Sequence, residues 1–346
     1  MNINEIKEKL KTADYDFLRS NVHLGGNIMM LALGGSYSYG TNTPGSDLDV
    51  RGCAVRSMEE ILLGEDFQQV TDTYTDTTIY SFDKLVRLLS DCNPNTIEIL
   101  GLRPDHYLYL SEQGRAMVEN RSIFLSLRCV SAFAGYAQAQ FRRLDNKSGR
   151  IASQPVQEEH ILGSILRDFA HYNEMYYSHP EDAVKLYIDK AVNPELETEI
   201  FADIHLTHYP LRDYKDMIGR MAEVIRDYSR LGKRNKVAIT KGKLGKHMMH
   251  CLRLYMMCLD ILEKQDIITY RSTEHDLLMD IRNGKFLDSQ CQPTDEFFDI
   301  CEDYRKRLEY AAKNTSLPEK PDFEKIRQLV LDVNSAAKGG EICSIQ

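Results

Sequence analysis

The sequence predicts an α+β fold, with an N-terminal mixed β-sheet and flanking helices followed by a mainly α-helical domain. Two observations carry this expectation. Up to about residue 125, short apolar or Thr-rich runs alternate with helical stretches, as in an α/β layer. Beyond that point long helical periodicities dominate and strand signals nearly vanish. The expected division is one domain over 1–125, a helical domain over 126–335 and a small, polar, disordered tail over 336–346.

Each element has its own reason. Ile6, Leu10, Ala13 and Phe17 recur at helical spacing, so residues 3–20 read as an N-terminal helix. Residues 28–33 are wholly apolar and suit a buried strand, which Gly34-Gly35-Ser36 breaks before a short helix begins at Tyr37. Turn formers fill 41–46, and residues 47–55 resume as a strand. Residues 58–63 make one or two helical turns, and the Thr-rich stretch 67–82 reads as a hairpin ending in DTTIYSF. A helix over 83–90 shows Leu85, Val86, Leu88 and Leu89 on its apolar face, and Asn93-Pro94-Asn95 caps a second through Leu100. Further helices are expected over 125–144, 158–177, 211–228, 244–263, 275–283, 296–312 and 323–334.

Composition narrows the class. Hydrophobic residues make up 42% and charged residues 27%, as in an ordinary soluble globular chain. No apolar run approaches the roughly 18–20 residues that span a bilayer, and the polar N-terminus reads as no signal peptide. The eight cysteines are scattered without a CxxC pair, which fits reduced thiols in a cytoplasmic protein. A net charge of −9 argues against wholesale coating of nucleic acid, though a local basic groove is compatible with it.

The chemistry concentrates in LALGGSYSYGTNTPGSDLDVRGCAV, residues 31–55. Asp47 and Asp49 stand two apart in a strand-like run and so project to one face. Two adjacent carboxylates repel each other, a cost that a divalent cation between them relieves. At Gly34-Gly35-Ser36, glycines let backbone N–H groups approach a phosphate closely, and the Ser36 hydroxyl can donate to a phosphate oxygen. The turn is neither a Walker loop, since no Lys follows, nor a dinucleotide fingerprint, since the second strand arrives too soon.

A second signal lies at 230–253. Arg230, Lys233, Arg234, Lys236, Lys241, Lys243, Lys246 and Arg253 occur there without one Asp or Glu. The bland reading is a solvated helix end; the functional one is a clamp on a triphosphate or an RNA backbone. Lys246, His250 and Arg253 fall on one helical face and are the candidates from this segment for lining a cleft. His247, His250 and Cys251 imitate a zinc face but lack a fourth ligand nearby in sequence. The cluster Arg142, Arg143, Lys147 and Arg150 is generic, and Phe169, Tyr172, Tyr176 and Tyr177 read as core.

Gly35-Ser36, nine intervening residues and then Ser46-Asp47-Leu48-Asp49 between apolar runs resembles the signature of the DNA polymerase β-type nucleotidyltransferase superfamily. IYSFDKLVRLLSDCNPNTIEIL and KLGKHMMHCLRLYMMCLDIL are similar to segments of a bacterial and phage family of predicted nucleotidyltransferases, some of them associated with RNA repair. The resemblance implies a nucleotidyltransferase-type sheet, and a pair of Mg²⁺ ions held by Asp47, Asp49 and a third carboxylate on a later strand. It also implies that Gly34, Gly35, Ser36 and Ser46 bind a nucleoside triphosphate, ATP foremost. Asp72, Asp76 and Asp83 are candidates for the third carboxylate, and Asp76 is preferred because it opens the most strand-like piece. The acceptor hydroxyl is expected on an RNA end, with a protein or a small molecule as alternatives. From another class, a nucleotide- or RNA-binding regulator without catalysis is the rival.

Overall fold

The computed structural model describes residues 1–133, 135–137, 155, 158–159, 161–166, 183–229, 241–288 and 293–338. The chain forms two compact units. One comprises Met1–Ala137, Leu252–Met279 and Asp299–Gln346, and the other Gln138–Cys251 and Asp280–Phe298.

The first unit is built on a five-stranded mixed sheet. Its strands are β1 (Ile28–Leu33), β2 (Val50–Ala54), β3 (Gln69–Asp72), β4 (Thr77–Ser81) and β5 (Tyr107–Leu110), in the order β3-β4-β2-β1-β5. β2 and β4 run parallel, and every other pairing is antiparallel. All six residues of β1 are buried, as its apolar run requires of a strand covered on both faces. Met30, Ala32, Cys53 and Val55 pack on one side of the sheet with the helix Phe82–Ser90. Leu31, Leu33, Val50, Ala54 and Ile79 face the other side, under the N-terminal segment.

That N-terminal segment departs from expectation. Residues 3–20 form two helices, Ile3–Lys9 and Phe17–Ser20, joined through a 3₁₀ turn at Ala13–Tyr15. Thr12 is extended at ψ 165°, and the Arg19 guanidinium donates to the carbonyls of Leu10 (3.0 Å) and Thr12 (3.3 Å), stapling the bend. Helical spacing of apolar residues survived because both pieces bury one side. Two further corrections concern strands. β2 begins at Val50, so Asp47–Asp49 lead into it as extended chain outside the strand. β5 was absent from the sequence reading; its four residues YLYL pair with β1.

Strands also occur beyond residue 125. In the second unit β6 (Val184–Lys190) and β7 (Thr198–Ile204) pair antiparallel, Val184 opposite Ile204 and Lys190 opposite Thr198. The turn between them contains Asn193-Pro194. The later helices are Leu211–Ser229, Lys241–Lys264, His275–Arg282, Asp295–Asn314 and Phe323–Lys338. Residues 128–133, 135–137 and 161–166 are helical, and the remainder of the helices expected over 125–144 and 158–177 lies outside the described residues. So do Arg142, Arg143, Lys147, Arg150, Phe169, Tyr172, Tyr176, Tyr177, Cys291, Cys343 and most of the expected tail. Among the described residues no helix is long and apolar enough to cross a membrane.

The segment Leu252–Met279 is woven into the first unit by specific bonds. Thr269 N–H donates to the Gly101 carbonyl (3.1 Å), and the Thr269 hydroxyl to the Glu98 carbonyl (2.7 Å). Arg121 makes a two-pronged ion pair with Asp266 at 2.6 and 3.1 Å, which holds the Asp266 carboxyl below its usual range against the opposing effect of its burial. Gly101 lies so close to the Ile267 backbone that an added Cβ would overlap the Ile267 carbonyl and Cγ2. Gly101→Ala is therefore expected to lower the unfolding free energy by about 1–3 kcal/mol, the usual cost of overpacking. The midpoint of urea unfolding checks this, and an unshifted midpoint contradicts the packing described.

Candidate active site

The site forms where β1 ends and β2 begins. Leu33 leads into Gly34, whose N–H donates to the Asp49 carbonyl (2.9 Å), so the ladder between the strands continues one step past β1. The chain then turns into the short helix Gly35–Tyr39. Gly35 takes φ +55°, a left-handed conformation that glycine adopts without cost. A side chain is also excluded there on space alone, because a Cβ on Gly35 would overlap the Asp49 carboxylate. At Gly34 a Cβ would come within 2.9 Å of Arg51 Cγ and 3.3 Å of Asp49 Cβ. The two glycines thus let the acidic run cross directly over the turn.

Asp47 and Asp49 alternate in burial with Leu48 and Val50, which are buried. Asp47 is exposed and Asp49 half-buried. Ser36 is buried at the start of the helix. Ser46 closes the preceding loop: its hydroxyl accepts from Thr43 N–H (2.8 Å), and its own N–H donates to the Thr43 carbonyl (2.9 Å).

The three acidic candidates on later residues occupy different places. Because β2 and β4 are parallel with Val50 opposite Thr77, Asp76 lies beside Asp49, and its carbonyl accepts from Val50 N–H (3.2 Å). Asp72 stands one strand further out, opposite Thr77 across the β3–β4 hairpin. Thr75 donates to it from N–H and hydroxyl, both at 2.8 Å, and these bonds hold its carboxyl below the usual range. Asp83 follows the far end of β4, where it pairs with Arg56 at 2.8 Å. The parallel register therefore brings Asp76 to the acidic pair and carries Asp83 away from it.

Arg51 belongs to the same face, two residues beyond Asp49, and the sequence reading passed over it. Its guanidinium lies 3.7 Å from Asp49 Oδ1 and 3.3 Å from Asp76 Oδ1, and donates to the Asp76 carbonyl at 2.7 Å. The i, i+2 rule that paired Asp47 with Asp49 would have found it. Arg51 stands between the carboxylates of Asp49 and Asp76. Among the described residues no group of three or more His, Cys, Asp or Glu side chains is placed to hold a metal ion. The Asp47–Asp49 pair still fits magnesium, which takes hard oxygen donors and draws the rest of its shell from substrate phosphates and water.

Of the residues expected from the basic segment, Lys246 is exposed and His250 half-buried, both in the unit that contains Gln138–Cys251. Arg253 belongs to the unit of Asp49 and is buried, with its guanidinium carbon 3.1 Å from the centre of the Tyr39 ring. Arg230, Lys233, Arg234 and Lys236 lie outside the described residues, as do the side chains of Lys241 and Lys243.

The contact of Gly35 with Asp49 makes a direct prediction. Gly35→Ala forces a side chain into left-handed backbone and into the Asp49 carboxylate, and is expected to cost about 2–3 kcal/mol of stability. Adding Asp49→Ala removes one of those two penalties. The double variant is therefore expected to unfold at a higher urea concentration than Gly35→Ala alone; additive losses would show that the two residues do not touch.

Comparison with known proteins gives one family match and one phage relative. Residues 4–160 match the sequence model of the RNA repair pathway DNA polymerase beta family. The chain is also similar to a protein of Enterobacteria phage T4 described as an uncharacterized 38.9 kDa protein in the nrdC-mobD intergenic region. The two are 20% identical over 279 residues, which cover 72% of this chain and 81% of the phage protein. No solved structure matches. The matched residues 4–160 contain the Gly-Gly-Ser turn, the acidic pair and all five strands of the mixed sheet, and the match supports assigning this part of the chain to the DNA polymerase β-type nucleotidyltransferases.

Proposed function

We propose that the protein transfers a nucleoside monophosphate from a nucleoside triphosphate, ATP foremost, to a hydroxyl at an RNA end, and releases pyrophosphate. One observation carries the reading: the Asp49 carboxylate, two residues from Asp47, fills the space a Gly35 side chain would take in the Gly34–Ser36 turn. A glycine turn able to take a phosphate, with the Asp49 carboxylate packed against it, suits the joining of a triphosphate to a metal.

In this reading the Gly34 and Gly35 backbone and Ser36 bind the outer phosphates. Asp47 and Asp49 would hold magnesium, which when bound neutralises phosphate charge and orients the reacting oxygens. The acceptor oxygen forms a bond to the α-phosphorus as the bond to the bridging oxygen breaks, and pyrophosphate departs with that electron pair. The proton of the attacking hydroxyl passes to the carboxylate of Asp76, the third acidic residue of the site. Arg51 keeps Asp49 and Asp76 in register by pairing with both. Lys246 and His250 serve the RNA or the triphosphate as part of the basic segment 230–253. The RNA acceptor is supported by that segment and by the repair pathway in the family's description. Such an enzyme works in the cytoplasm, where triphosphates and RNA meet.

The test is transfer of label from an α-labelled triphosphate to bulk RNA, with protein and an aminoglycoside as alternative acceptors. Label is expected on RNA. Asp47→Ala and Asp49→Ala are each expected to cut transfer by roughly 10³-fold or more, about 4 kcal/mol at the transition state, with thermal unfolding little changed. Full activity in both variants would overturn the assignment, and binding of triphosphate without pyrophosphate release would favour a regulator.

A further inference from the structure

Tyr39 ends the helix that starts at Gly35 and is 1% exposed. Its hydroxyl, carbonyl and ring are each held by a partner. Its hydroxyl donates to Glu98 and lies 3.3 Å from Met257 Sδ. Its carbonyl accepts from Arg271 N–H at 3.2 Å. Its ring carries the Arg253 guanidinium at 3.1 Å from the centroid, a cation–π arrangement. The next residue, Gly40, takes φ +74°, and the Tyr270 ring occupies the space its side chain would need. Arg253, Met257, Tyr270 and Arg271 all come from Leu252–Met279, which lies outside residues 4–160 yet inside the same compact unit.

Arg253 is only 7% exposed. A buried guanidinium is costly unless an opposite charge is close, and Glu98 is an acidic group whose carboxyl feels it. Burial pushes the Glu98 carboxyl up, and Arg253 is the first influence holding it down, with the Tyr39 hydroxyl and Arg51 after it. A cation thus lies on the face of the ring and a carboxyl group at the ring's hydroxyl.

We infer that Arg253 is a positioning residue, holding the Gly34–Ser36 turn in place through the ring of Tyr39. The nucleotide-binding part of the protein is accordingly completed by Leu252–Met279. This rests on the nucleotidyl-transfer reading and deepens it. The geometry gives Arg253 a purpose different from the phosphate clamp that its place in the basic segment implies: its guanidinium is buried over an aromatic face, and Tyr39 is four residues from Gly35 on the same short helix.

The test reads triphosphate affinity and needs no turnover. Binding of each of the four magnesium–nucleoside triphosphates is measured by calorimetry, and the tightest is carried through the variants. Arg253→Leu is expected to weaken binding about 3- to 30-fold, the range a cation–π contact spans, and Arg253→Lys is expected to recover part of the loss. Tyr39→Leu is expected to weaken binding as well, and Tyr39→Leu with Arg253→Leu to bind no worse than the weaker single variant. A direct phosphate contact by Arg253 would instead make the two losses add, which overturns the inference, as does wild-type affinity in Arg253→Leu. If Arg253→Leu does not fold, Arg253→Lys alone and combined with Tyr39→Leu decides by the same comparison. Absence of triphosphate binding in the wild type overturns the nucleotidyl-transfer reading itself, and with it this inference.

Discussion

The close approach of the Asp49 carboxylate to Gly35 is the constraint on which the rest of the site depends. It requires glycine at 35 for space and for backbone conformation at once. It also requires the acidic run to leave the loop at a fixed height, which the Gly34 N–H bond to the Asp49 carbonyl sets. Once that bond is made, β2 continues antiparallel to β1, with Leu48 and Val50 buried and Asp47 exposed. The chemistry of the site therefore follows from the same packing that starts the sheet. Hydrogen bonding, burial and steric exclusion agree at this point, and such consistency between levels marks a well-specified structure.

What the sequence disclosed was local. The alternation of Asp47, Leu48, Asp49 and Val50 and the Gly-Gly-Ser break after an apolar run are properties of a few consecutive residues, so spacing alone exposed them. Arg51 was equally local but was overlooked, because a cation beside two carboxylates reads as an ordinary salt bridge. The neighbourhood of Asp76 could not be read locally at all. It depends on β4 lying parallel to β2 with Thr77 opposite Val50, a register that no short window contains. The β6–β7 hairpin was missed for a different reason. VKLYIDK and TEIFADI alternate only imperfectly, and they sit among long helical periodicities that outweighed them. The N-terminal segment shows the reverse error, since two short helices around a stapled bend keep the apolar spacing of one long helix.

The return of the chain to the first unit was also invisible to sequence spacing. Tyr39 and Met257 are 218 positions apart, and Thr269 is bonded to Glu98 across 171. Only the folded chain joins them. The helical pattern over 244–263 correctly marked a helix, but not that its residues from Leu252 on would pack into the unit that carries the sheet. A basic residue inside that helix then looked like part of a surface stripe. Burial reassigns it: Arg253 shares the interior with Leu252, Leu254 and Met257, and a cation there must be matched by an internal charge.

That matching can be followed inward from the surface. Asp76 and Asp49 pair with Arg51, Arg51 helps hold down the carboxyl of Glu98, and Glu98 is balanced more strongly by Arg253. Arg51 and Glu98 line the same small cavity, with Tyr80, Asn95 and Thr96. Acidic and basic groups thus follow one another from Asp76 and Asp49 through Arg51 and Glu98 to the buried Arg253. In a low-dielectric interior each member is tolerated because its neighbours carry the opposite charge. Charge added at the outer end, by a cation or a phosphate, therefore acts first on Arg51, whose other partners reach the interior through Glu98. Electrostatics and packing here run along the same path, so Asp49 and Asp76 at the Gly34–Ser36 turn and the groups around Tyr39 are electrostatically linked through Arg51 and Glu98.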